Sequence, residues 1–325
     1  MKRAYVLALA STMILLAAIP AAAQPVISAR SGVVSYGEGA VYVGNQTWQP
    51  SSSQFDAIKE NTVVRTEAGR VEVLLVPGSF LRLGENSSFR LLTNRLIDTR
   101  LELLSGSAVL EVDQVTKDDN VTVVSGQAVV QFPKAGLYRM DSEPAQIKVF
   151  KGAAMVQMGD RNIEVPSAKM LGLSGETAAL EKFDTENTDS LDNWSHRRGD
   201  LVASANVSAA NYARSTSTSL LGNTWAWNPY FGMYTYLPMS GQMFSPYGGW
   251  FWSPYTVPYA YYNPPVIITR GTGSGLTGSG LVGIHAPGRA PGLATSSGST
   301  AAISSPTRSA STGSPSMGHV GGAHR

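Results

Sequence analysis

The chain has 325 residues, 43% of them hydrophobic and only 15% charged, against about 25% in an ordinary globular domain. Its formal charge is +2, from 25 basic and 23 acidic residues, and Lys2 and Arg3 account for that excess, so bulk charge offers no hold for nucleic acid. There is no cysteine, which excludes disulfides, thiol catalysis, cysteine-ligated metals and lipidation on cysteine.

Lys2 and Arg3 precede an uncharged apolar run over residues 4–19. Pro20 breaks the run, and Ala21-Ala22-Ala23 offers a small-residue cleavage site. This is the pattern of a secretory signal peptide over residues 1–23, cut after Ala23 because Pro25 disfavours cutting after Gln24. The alternative is a retained anchor, since about twenty apolar residues reach across a bilayer. No second apolar stretch of that length follows. The pattern therefore places the mature chain in the periplasm, at the cell surface or outside the cell, with no integral span after cleavage.

Residues 26–175 read as short strands and turns. Gly-x-Ala followed by an apolar pair, a polar residue and a further apolar one occurs at Gly106, Gly126 and Gly152, with a looser copy at Gly37 that has Gly39 in the alanine place. Each copy predicts a tight turn feeding a short strand, with a small residue where neighbouring strands pack close. Val71, Val73 and Leu75 alternate with Glu72, Leu74 and Val76, as suits a strand buried on both faces. Pro77-Gly78 fits the two central positions of a type II turn. Alternation at residues 101–103, the runs 121–124 and 147–150, and turn clusters at 118–120 and 134–136 predict some twelve to fifteen strands. No helix-length period intervenes. The spacing of the glycine motif, 20 residues and then 26, argues against a strict solenoid. The expected fold class is all-β, an irregular roll or sandwich.

Residues 183–214 change character. Leu191, Trp194, Leu201 and Val202 fall on one helical stripe, Thr188 or Ser190 offers a cap, and acids precede Arg197 and Arg198 as a helix dipole favours. Residues 215–269 contain no Lys, Arg, Asp or Glu, and 15 of the 28 aromatic residues of the chain lie between Trp225 and Tyr262. These aromatics either pack onto the β-domain, form a binding surface or lie at a membrane interface. Trp225, Trp227, Tyr230, Trp250, Trp252 and Tyr255 are the candidate interaction residues. Residues 270–325 are rich in Gly, Ser, Thr, Ala and Pro, a composition that predicts disorder.

Residues from Val33 to about Val156 resemble the FecR domain. Asn61-Thr62-Val63-Val64-Arg65-Thr66 is similar to the threshold strand of that family, and the run from Gly69 through Pro77-Gly78-Ser79 to its glycine-led hairpin. Leu81-Arg82-Leu83 with Ser87, and Leu101-Glu102-Leu103 with Gly106, resemble the two segments that follow, and Gly152 opens a closing strand. Pro77 stands where the family often has aspartate. The resemblance implies a bacterial, extracytoplasmic β-domain. The regulators of the family carry a cytoplasmic region that touches a sigma factor; a signal peptide starting at Met1 leaves no room for it, so that role is not expected here.

No catalytic constellation emerges. His196 is the one histidine before the tail, and His285, His319 and His324 lack ligand spacing. Asp118 and Asp119 belong to a turn without the rest of a calcium loop. No phosphate-cradling glycine loop opens a helix. The chain is read as non-enzymatic, without cofactor or metal: an exported binding or scaffolding protein of the envelope whose partner is an envelope protein or glycan. The alternative is a cell-surface protein that binds glycan or matrix through residues 225–262. Mass spectrometry of the exported protein is expected to find Gln24 as its first residue; an intact Met1 terminus would establish a retained anchor instead.

Overall fold

The computed structural model describes residues 31–50, 57–117, 120–174, 179–216 and 223–261. The expected signal peptide, Asp118 and Asp119, the end of the aromatic tract and the tail at 270–325 lie outside the described residues.

Fifteen strands form one sheet. In chain order they are β1 (Val33–Val43), β2 (Gln46–Thr47), β3 (Thr62–Leu74), β4 (Ser79–Leu83), β5 (Ser88–Arg95), β6 (Asp98–Ser105), β7 (Ser107–Val112), β8 (Val121–Ser125), β9 (Ala128–Gln131), β10 (Gly136–Ser142), β11 (Ala145–Lys151), β12 (Ala153–Met158), β13 (Arg161–Pro166), β14 (Lys169–Gly172) and β15 (Leu180–Lys182). They are followed by helix α1 (Ser190–Ser215), the hairpins β16 (Thr224–Asn228) with β17 (Met233–Leu237) and β18 (Gln242–Phe244) with β19 (Trp250–Trp252), and a 3-10 turn, Val257–Tyr261. The all-β expectation holds, with one α-helix among the described residues.

The sheet divides at β3. Residues at its start, from Thr62 to Arg65, pair with β5, and those at its end, from Val71 to Leu74, pair with β4; β1 runs along its other edge. One half-sheet then continues β5-β6-β8-β9-β12-β13, and the other β4-β7-β10-β11-β14-β15. Inward residues of both halves share one core, with Phe89, Leu91, Val123 and Val130 from the first and Leu81, Leu83, Leu110 and Tyr138 from the second. The chain crosses between halves repeatedly. Because β7 lies in the opposite half, β6 and β8 meet on return and form the one parallel pair, while every other pairing is antiparallel.

The glycine motif marks two different turns. Gly106 and Gly152 are crossings between half-sheets, whereas Gly126 opens a two-residue hairpin loop between Ser125 and Ala128. All three have positive φ, +74°, +60° and +87° in chain order. Ala108, Ala128 and Ala154 are buried, as the motif requires. Gly78 has φ +84° and Ser79 N–H donates to the Val76 carbonyl at 2.8 Å, closing the expected type II turn.

A Cβ at Gly152 would lie 2.4 Å from the Tyr138 hydroxyl and 2.7 Å from the Ala135 carbonyl, whereas one at Gly126 would meet nothing within 4 Å. Gly126→Ala is therefore expected to lose only the backbone strain, about 1–2 kcal/mol. Gly152→Ala is expected to lose at least twice as much in urea unfolding. Equal losses would show that the crossing is not crowded.

Candidate functional site

Strand alternation sends Glu72 and Leu74 of β3, Phe80 and Arg82 of β4, Val109 and Glu111 of β7, and Leu137 and Arg139 of β10 away from the shared core. On an uncovered sheet such residues face water, as Arg90 and Glu102 do in a 2.9 Å ion pair on the first half-sheet. On the second half-sheet α1 and the two hairpins cover them. Glu72, Arg82 and Glu111 are 0% exposed.

The charges are ordered by register. Glu72 stands opposite Arg82, and Arg82 opposite Val109, which puts Glu111 on the diagonal. Glu72 Oε2 accepts from Arg82 Nε at 2.9 Å, and Glu111 Oε2 accepts from Arg82 Nη1 at 2.6 Å. From α1, Arg198 Nη2 donates to Glu72 Oε1 at 2.8 Å, and the Ser35 hydroxyl of β1 donates to the same oxygen at 3.0 Å. From the loop between β18 and β19, the Ser245 hydroxyl donates to Glu111 Oε1. The Arg198 guanidinium also lies 4.0 Å above the Tyr36 ring. Burial opposes ionisation of Glu72, but Arg198 and Arg82 outweigh it and hold the carboxyl at about 2.

The local sequence places each partner. Asp189, not Thr188 or Ser190, is the N-cap of α1; its side chain accepts from the Leu191 and Asp192 amides at 2.9 and 3.0 Å, and Asp192 returns the bond as a capping box. Arg139 Nη1 clamps this cap to the sheet at 2.7 Å from Asp189 and 2.8 Å from Asp192. With the phase so fixed, the buried stripe runs through Leu191, Trp194, Arg198 and Val202. Leu201, expected on that stripe, faces solvent; an arginine takes the inner position because Glu72 waits beneath it. Gly199 lies under Tyr247, where a Cβ would come within 2.6 Å of the ring.

The aromatic tract forms the rest of the cover. Trp225 is buried against Phe80 at 5.0 Å and Tyr236 at 6.0 Å between ring centres, and Phe251 closes the group at 5.6 Å from Tyr236. Each such ring contributes roughly 1.5–3 kcal/mol by burial. Trp252 is buried with Ala210, Ala213, Leu237 and Val257. Asn206 of α1 fastens both hairpins: its Nδ2 donates to the Tyr236 and Trp252 carbonyls at 2.9 and 3.0 Å, and its Oδ1 accepts from the Trp252 amide at 2.7 Å.

The six candidate interaction residues thus occupy three environments. Trp225 and Trp252 lie inside. Trp227 and Trp250 are half-buried, in ring contact with Tyr234 at 4.9 Å and with Phe244 at 4.8 Å. Tyr230 and Tyr255 are 89% and 75% exposed, and Phe244 and Tyr259 are exposed with them. His196 is exposed on α1, with Nε2 3.8 Å from Asp200 and its ring 5.2 Å from that of Tyr247. Among the described residues no group of three or more His, Asp or Glu side chains is placed to hold a metal ion, and no helix is long and apolar enough to cross a membrane.

Sequence reasoning missed Glu72, Arg82, Glu111, Arg198 and Ser245. A signal was present for two of them: Arg82 and Glu111 are each the lone charge of an otherwise largely apolar strand, β4 and β7. What was missing was the partner, 126 residues away in the case of Arg198.

Residues 62–155 match the FecR family, described as FecR protein. This span runs from the start of β3 into β12, so α1 and the hairpins lie outside it. No curated protein matches the chain. Two crystal structures from Parabacteroides distasonis ATCC 8503, each described as a candidate anti-sigma factor, are similar to parts of it. One, at 2.50 Å resolution, has 17% identity and a TM-score of 0.33, over 38% of this chain and 59% of its own. The other, at 1.65 Å, has 15% identity and a TM-score of 0.35, over 41% and 64%. The chain thus spans less than two thirds of the length of either.

Removing Arg198 leaves a buried carboxylate short of a partner, and Arg198→Met is expected to lose about 3 kcal/mol in urea unfolding. The exposed neighbour sets the control: Arg197→Met is expected to stay within about 0.5 kcal/mol. Since the Glu72 carboxyl is depressed from 4.5 to about 2, the stability it adds is fully present above 4.5 and disappears as pH falls toward 2. Acid titration of wild type should show that loss, and Arg198→Met should show less of it.

Proposed function

We propose that this FecR-domain chain is an exported binding or scaffolding protein of the bacterial envelope, with no catalytic chemistry of its own. The observation that carries the proposal is the division of its side chains. Glu72, Arg82, Glu111 and Arg198 are sealed in ion pairs, of which Arg198 with Glu72 joins helix to sheet, while aromatic rings such as Tyr230 and Tyr255 stand in solvent. Such buried pairs hold a surface in shape rather than meet a substrate. Export is supported by the basic, apolar and small-residue succession of residues 1–23. The partner is an envelope protein or glycan.

A second reading is binding of glycan or matrix through the tract. The exposure of Tyr230 and Tyr255 on a stretch free of charged residues favours a neutral, ring-stacking ligand. Deleting the tract would uncover Phe80 and Arg82 and so test folding, not binding. Point substitution of Tyr230, Tyr255 and Tyr259 to serine avoids that.

Cell fractionation should recover the chain with periplasm or envelope; recovery in cytosol would defeat the proposal. Tryptophan fluorescence titrated with soluble peptidoglycan fragments and neutral polysaccharide separates the two readings. Saturable binding that the triple serine variant loses favours the tract. Envelope association that survives those substitutions places recognition on the β-domain.

A further inference from the structure

The buried ion pairs contain two carboxylates, Glu72 and Glu111, and two guanidiniums, Arg82 and Arg198, whose charges cancel. A fifth ionisable group lies among them. Asp113 follows Glu111 by two residues, is 2% exposed, and has no well-formed hydrogen bond of its own on either carboxyl oxygen; the groups that act on it are the Glu111 carboxyl and the Ser245 hydroxyl, which is already given to Glu111. Its backbone is fixed, the Asp113 amide donating to the Gly78 carbonyl at 2.8 Å. Ionised, it would be a second buried negative charge beside Glu111 with no cation left to match it.

What it borders is the turn between β18 and β19. That turn is tied to itself by Ser245 N–H to the Gly249 carbonyl at 2.8 Å and Gly248 N–H to the Ser245 carbonyl at 2.9 Å. It is tied to the sheet by the Ser245 hydroxyl on Glu111 and by Lys151 Nζ donating to the Pro246 carbonyl at 2.5 Å. It carries Tyr247 over Arg82, 5.6 Å from guanidinium to ring centre, and onto Gly199 of α1.

We propose that Glu111 and Asp113 form a proton-dependent latch on the turn between β18 and β19, closed while the pair shares one proton and loosened when that proton leaves. With Asp113 neutral, Glu111 alone carries the negative charge that faces Arg82 and takes the Ser245 hydroxyl. With both ionised, the two carboxylates repel and compete for the same two donors, and the Ser245 anchor is the weaker of these. Burial, then the charge of Glu111 and a hydrogen bond with it, push the Asp113 carboxyl well above its ordinary range, and Arg82 and the Ser245 hydroxyl oppose them only in part. The other charged and titratable groups around the turn are accounted for. Glu72 and Arg198 reach it only through Arg82. Burial pushes the Tyr247 phenol up, and Lys151 holds a carbonyl. Asp192 is engaged by Arg139, and the exposed His196 ring lies tilted against that of Tyr247.

Hydrogen exchange of the segment 241–252 in the full mature chain, expressed as protection relative to the intrinsic rate at each pH, reads the latch. Wild type should lose at least tenfold protection between pH 5 and pH 9. Asp113→Asn keeps the shape without the titrating proton and should hold its protection across that range. Ser245→Ala should show at pH 5 the low protection that wild type reaches at pH 9. His196→Gln should behave as wild type. An infrared band of a protonated carboxyl, present in wild type at pH 5 and absent in Asp113→Asn, checks the same proton without relying on exchange. Constant protection in wild type, an undiminished pH response in Asp113→Asn, or loss of the response in His196→Gln would each overturn the proposal.

Discussion

One carboxylate, that of Glu72, is shared between the sheet and the helix. It takes Arg82 from the neighbouring strand and Arg198 from α1, at 2.9 and 2.8 Å, and no water reaches it. Burying a charge is tolerable only while its partners are in place, because the desolvation penalty is several kcal/mol per ion and only close, hydrogen-bonded opposite charges offset it. The rest of the architecture follows from keeping those partners in place. The Asp189 cap and its Arg139 clamp set the phase of α1, and that phase delivers Arg198 rather than Leu201 to the sheet. Gly199 then lets Tyr247 close over the pair.

The hairpins have the complementary task of excluding water. Their buried rings, Trp225, Tyr236 and Phe251, pack on Phe80, one strand position from the charges. A low-dielectric cover strengthens every ion pair beneath it, and the ion pairs in turn fix where the cover sits. An absence of charge from residues 215–269 therefore has a structural reason: a charge on the inner surface of either hairpin would need a partner of its own. Two of the polar side chains that do face inward are satisfied by backbone, Asn206 by three bonds to the hairpins and Thr235 by the Val202 carbonyl at 2.7 Å.

This arrangement decides which side chains stay open to solvent. Two glutamates and two arginines that lie close in space are consumed in assembly. The aromatic tract is divided, its inner rings structural and its tips, Tyr230 and Tyr255, open to solvent. The part that matches FecR supplies the platform, and the helix and hairpins beyond it decide which face of that platform is covered.

The β-architecture was legible in the chain because strand alternation and turn chemistry are local. Three Gly-x-Ala copies marked three positive-φ turns and three strand starts, Pro77-Gly78 marked a fourth turn, and the ordered motifs from Asn61 onward pointed to FecR. Even the helix could be found from its period. Its inward face could not be read correctly, since hydrophobicity favoured Leu201 and only a carboxylate 126 residues earlier made Arg198 the better inner residue. Nor could local pattern say that Trp225 and Trp252 lie inside while Tyr230 and Tyr255 lie outside, for all four share one composition. The sequence determined by itself which segments become strands, turns and helix, because those preferences are settled within a few residues. Only the tertiary structure decided which outer face is covered and which charges it buries, because burial depends on contacts between segments far apart in the chain.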